Sequence, residues 1–168
     1  MNSFHLARRF LRALWPGRPR SSDVDWVNTV LTPEEQVLWN RLPNHDRRYS
    51  IRMARTVDEI LAGSAYAGDP RWIAIALLHD VGKLDAGLGI PSRIVATVAG
   101  SVVPATRRSR NRLGRYLRHD DAGAQLIRAA GGREDAARWA AAHHHPDLWA
   151  QTGIPEPVMH ALAAADDA

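Results

Sequence analysis

The chain has no cysteine. That excludes disulfides, thiolate metal sites and thiol nucleophiles, and it fits a reducing compartment. No uninterrupted apolar stretch approaches ~18 residues, so no membrane-spanning helix is expected. Strand signals are scarce: β-branched runs are short, and no hairpin dipeptide lies between alternating segments. There is no internal repeat. Lysine is nearly missing too, since Lys83 is the one lysine among 22 basic residues. The absences leave a helical chain whose chemistry rests on histidine, carboxylates, hydroxyls and arginine.

What is present suits one domain. At 168 residues the chain can bury a real core. The net charge of +4 invites phosphate-bearing partners without naming one. Residues 3–15 have the pattern of a basic amphipathic helix, with Phe4, Leu6, Phe10, Leu11 and Leu14 on one arc and Arg8, Arg9 and Arg12 on the other. Pro16-Gly17 ends it, and a linker follows to Ser22. This segment, 1–22, is read apart from a domain over 23–168. It leaves open docking on the protein's own body, peripheral attachment to an anionic membrane, or contact with a partner protein.

Helix punctuation then repeats along the chain. A short helix is expected from Asp23 to Val30. Thr32-Pro33-Glu34-Glu35 carries a cap, a proline at the first position and a capping-box glutamate. Further helices are expected from there to Leu42, over 44–62, from Asp69-Pro70 to Leu78, over 90–99, over 113–130 to Gly131-Gly132, over 133–143 and over 156–166. The fold class is all-α, with about seven to nine helices.

The apolar run Ile75-Ala76-Leu77-Leu78 ends in His79-Asp80-Val81-Gly82-Lys83. An imidazole and a carboxylate at the end of a buried helix are costly unless an ion compensates them. Later apolar helical segments carry His119, His143-His144-His145 and Asp166. Together they make a nitrogen and oxygen ligand set suited to one or two divalent ions. A lone lysine in an arginine-rich chain suggests a place for a compact ammonium rather than a planar fork. His160 is off the face of Asp166 and is expected on the surface, and His145 either supports the other histidines or faces solvent. The tryptophans are expected in the core or at interfaces.

His-Asp-X-Gly-Lys on a helix, followed by His, His-His and a final Asp, resembles the HD-domain metal-dependent phosphohydrolase superfamily over about residues 44–167. The resemblance implies a compact HD-type helical bundle. It implies metal binding by His79, Asp80 and Asp166, a second metal at His119, His143 and His144, and a match of Lys83 to the lysine of the extended motif. One position departs: Tyr49 stands where the family's first metal-binding histidine belongs, in Tyr49-Ser50-Ile51-Arg52-Met53. Its spacing to Met53, Val57 and Ile60 places it on the buried stripe. His45, one turn or about 5.4 Å earlier, is a candidate substitute.

The expected cofactors are one or two divalent transition-metal ions such as Mn, Fe or Zn. The expected activity is hydrolysis of a nucleotide or other phosphoester, with Asp80 and Lys83 in catalytic roles. Arg112 and Arg115, seven and four residues before His119, share its helix face and could draw phosphate inward. The alternative is a degenerate HD domain that binds a ligand or regulates without catalysis. No nucleic-acid module and no interleaved stacking aromatics are present, so specific nucleic-acid binding is not expected. A cytoplasmic location is expected, with or without peripheral membrane attachment.

Overall fold

The computed structural model describes residues 17–86 and 119–168, all of whose regular elements are helical. In chain order these are α1 (Ser21–Val30), α2 (Pro33–Asn40), α3 (Asn44–Leu61), α4 (Pro70–Leu78), α5 (Lys83–Ala86), α6 (His119–Ala129), α7 (Glu134–Ala142), a 3-10 helix (Pro146–Thr152) and α8 (Glu156–Asp167). The expected helices over 3–15 and 90–99, the first part of the helix expected over 113–130, Arg112 and Arg115 lie outside the described residues.

Local chemistry sets the helix ends. Thr32 and Glu35 form a reciprocal capping box at α2, with Pro33 at its first position. Asp69 caps α4 by accepting from the Arg71 amide at 2.9 Å. Gly131, at φ +74°, and Gly132 close α6: their amides donate back to Arg128 and Ile127. The sequence signals did not reveal α5 or the 3-10 helix. Each is short, and neither has room for a periodic apolar stripe.

Helix α4 is the axis of the bundle. All residues from Trp72 to Leu78 are buried, so no face of it meets water. It packs against α1, α2, α3 and α7. An all-apolar helix of this length fits only where neighbours surround it. Around it, α8 covers α3, and α6 lies on α7 and α5. The core includes Trp39, Trp139, Met53, Ile75, Leu77, Leu78, Ile127 and Leu162. Trp39, Trp72 and Trp139 are buried as expected, while Trp26 and Trp149 lie partly buried against the core. The α3 stripe needs one correction: Ile60 is 48% exposed, and Leu61 takes the inward position.

Candidate metal centre

The chemistry-bearing side chains meet where several helices end. His79 follows the last residue of α4, and His143 follows the last residue of α7. His119 and Asp120 lie in the first turn of α6, Asp166 in the last turn of α8, and Tyr49 in the middle of α3. Gly82 makes this meeting possible. A Cβ there would lie 1.8 Å from the His119 carbonyl oxygen and 2.6 Å from the Gly123 amide nitrogen. The glycine lets the backbone after Asp80 press directly on the helix that carries His119.

The imidazoles are held by their own helices. His79 Nδ1 lies 2.8 Å from the Ala76 carbonyl, and His143 Nδ1 lies 2.9 Å from the Ala140 carbonyl. A carbonyl can only accept, so Nδ1 carries the proton in each ring. In the neutral ring this leaves a bare Nε2 lone pair. His79 Nε2 faces Asp80 Oδ2 at 3.3 Å and Asp166 Oδ1 at 3.6 Å. His119 Nε2 faces Asp80 Oδ1 at 3.3 Å and Asp120 Oδ1 at 3.2 Å. The His79 and His143 ring centroids are 5.5 Å apart, and those of His119 and His144 are 5.3 Å apart.

Electrostatics separate these groups. Burial favours neutral His79, but the Asp80 and Asp166 carboxylates outweigh it and hold the ring up at about 10. Burial pushes His143 down to about 3, and neighbouring His79 and His144 push the same way. Burial would raise Asp80, yet the Lys83 ammonium and His79 keep it well below the usual carboxylate range. Asp166 is likewise held low against its burial, by His79 and the Tyr49 hydroxyl.

A metal ion fits this set. The buried atoms His79 Nε2, Asp80 Oδ1, Asp120 Oδ1 and His143 Nε2 have no hydrogen-bond partner among the described residues. Imidazole nitrogens and carboxylate oxygens brought together at ion-pair distance offer a cation its ligands, and imidazole with carboxylate suits Mn, Fe or Zn. His119, Asp120, His143 and His144 each offer one ligand atom, all within 4.8 Å of one another.

The structure brings together His79, Asp80, Lys83, His119, His143, His144 and Asp166. Lys83 Nζ donates to Asp80 Oδ2, so the lysine pairs with a carboxylate of the site. Tyr49 reaches the same place: its hydroxyl sits against Asp166, donating toward the backbone carbonyl at 2.8 Å and toward Oδ1. Ser50 beside it is buried and accepts from Trp39 Nε1 at 2.9 Å, which locks this turn of α3. His45, the candidate substitute, has its Nε2 3.2 Å from Asp46 Oδ1. His160 is on the surface beside Glu156. His145 is partly exposed, with Nε2 3.5 Å from Asp120 Oδ2.

Asp120 is the residue that sequence reasoning missed. Its signal was there, since His119-Asp120 repeats the His79-Asp80 dipeptide.

This geometry agrees with an independent comparison. The family model of the HD domain matches residues 50–167, most of the chain, in a span that opens one residue after Tyr49. The chain belongs to the HD domain family, whose members are usually metal-dependent hydrolases. Comparison with curated proteins and with solved structures gave no match. No helix among the described residues is long and apolar enough to cross a membrane.

Proposed function

We propose that the protein is a metal-dependent phosphohydrolase acting on a nucleotide or another phosphoester. The observation that carries this reading is the buried array of imidazole nitrogens and carboxylate oxygens without hydrogen-bond partners. His79, Asp80, Asp166, His119, His143 and His144 would hold one or two divalent transition-metal ions. Bound there, such ions lower the pKa of a coordinated water toward ~7 and offset the charge that builds on phosphorus.

The chain's own residues have separable roles in this reading. The Ala76 and Ala140 carbonyls fix the His79 and His143 rings with Nε2 inward. Lys83 keeps Asp80 ionised and aims one of its oxygens, leaving Oδ1 toward His119. Tyr49 orients Asp166 from the position where the family has a histidine. Arg112 and Arg115 would draw the phosphate inward. The segment 1–22 would serve for attachment to an anionic membrane or a partner protein, beside the catalytic body over 23–168.

The test is metal content together with hydrolysis of a generic phosphodiester and a nucleotide panel, for wild type and Tyr49→His. Turnover by the metal-loaded wild type is expected. Absence of both metal and turnover in wild type, with both appearing in Tyr49→His, would mean a degenerate domain and end the enzyme reading.

A further inference from the structure

The donors at the helix ends form two adjoining groups, in contact where Asp80 Oδ1 faces His119 Nε2 at 3.3 Å. In one, Asp80 Oδ2 accepts from Lys83 and Asp166 Oδ1 accepts from Tyr49, while His79 Nε2 and Asp80 Oδ1 are buried without a hydrogen-bond partner among the described residues. The other group is His119, Asp120, His143 and His144. Here Asp120 Oδ1 and His143 Nε2 are buried and have no hydrogen-bond partner among the described residues.

Asp120 is placed as a ligand rather than as a surface carboxylate. It is 7% exposed. Its Oδ1 points to the imidazoles, 3.2 Å from His119 Nε2, and its Oδ2 faces His145 Nε2 at 3.5 Å. One oxygen is thus directed into the group while the other meets an imidazole behind it, the arrangement by which proteins orient a coordinating carboxylate. Three imidazoles and one carboxylate, with donor atoms within 4.8 Å of one another, match a four-ligand site for a borderline transition ion.

We propose that Asp120 is a metal ligand, and that with His119, His143 and His144 it forms the seat of a divalent transition-metal ion. His145 is a positioning residue for Asp120. The inference rests on the metal-binding part of the proposed function and not on hydrolysis itself.

The experiment is titration of the chelator-stripped full chain with Co²⁺, followed by calorimetry and by the visible absorption of the bound ion. Wild type should take up at least one ion per chain. Asp120→Asn and His144→Ala should each weaken binding at least about tenfold and change the visible spectrum, as loss of an inner ligand requires. Circular dichroism and melting of the ion-free variants check folding. His144 has an exposed side chain, so its alanine variant decides the matter if Asp120→Asn does not fold. Wild-type affinity in His144→Ala, or in a folded Asp120→Asn, overturns the proposal. Tight binding that depends on Asp120 without turnover on any phosphoester upholds it and sinks the hydrolase reading. Turnover with Asp120-independent binding does the converse.

Discussion

Single residues decide whether the helix ends can meet. Gly82 is the clearest case, because the space its Cβ would fill belongs to the backbone of α6. Backbone yields less readily than a flexible side chain. Gly82→Ala should therefore cost about 1–3 kcal/mol or more through overpacking, measured by urea denaturation. It should also displace His119 from Asp80 and lower metal content, measured by mass spectrometry on the purified protein. A variant with unchanged midpoint and metal content would refute this account of the glycine. The sequence showed this glycine as part of a motif, yet its reason was out of reach, since the atoms it must avoid lie 37 positions further on. Lys83 was similar: its singularity was visible, but its pairing with Asp80 needed coordinates. Tyr49 was legible both in identity and in direction, because helical spacing alone turned it toward the site. Asp120 was passed over because nothing in spacing separates it from Asp121, its exposed neighbour.

At the scale of elements, the helices that could be read were those with punctuation: the capping box of α2, Asp69-Pro70 before α4, and the paired glycines after α6. One tie between elements was not legible. Glu35, the capping-box glutamate, is fully buried. Besides the Thr32 amide it accepts from the Arg133 amide at 2.9 Å and from Arg133 Nη1 at 2.8 Å, while Nη2 reaches the Val30 carbonyl at 3.0 Å. It therefore joins the starts of α2 and α7 and the end of α1. Glu35→Ala should lower stability by about 2–3 kcal/mol, because a partly buried guanidinium and two amides lose their buried acceptor. Chemical denaturation of the variant checks this, and a loss under about 1 kcal/mol would mean water replaces the carboxylate. The exposed cluster at the start of α7 behaves differently. Arg128 holds Glu134 at about 2, with Arg138 helping against slight desolvation. A depressed carboxylate contributes stability above its unfolded value of ~4.3, and that contribution disappears as pH falls through about 2. The three side chains are nearly half exposed, so the contribution is under about 1 kcal/mol. Melting temperatures of wild type and Glu134→Gln should differ slightly near pH ~6 and converge as pH drops below about 4. A gap that widens in acid would reverse the sign and exclude this ion pair as its source.

At the scale of the molecule, the all-α class followed from missing strand signals and regular helix punctuation, whereas the convergence at one end of the bundle came only with packing around α4. That convergence has a thermodynamic consequence. The donors come from α4, α6, α7 and α8, which the unfolded chain holds at no fixed distance from one another. An ion that binds the folded site and not the unfolded chain stabilises by mass action, by about 4 kcal/mol when free metal is a thousandfold above Kd. The effect should appear as a melting temperature that rises with added Zn²⁺ or Mn²⁺ and falls on chelation. Histidines that carry protons in the ion-free state must release them to coordinate, so the rise should be accompanied by proton release to the buffer. His143→Ala removes a buried ligand nitrogen while leaving the helices able to pack, and it should abolish most of the metal-dependent rise. Should His143→Ala melt lower than wild type yet respond equally to metal, His143 would be a core residue and not a ligand. If neither protein responds, the buried imidazoles and carboxylates are compensating one another through shared protons, as the raised His79 and depressed Asp166 allow.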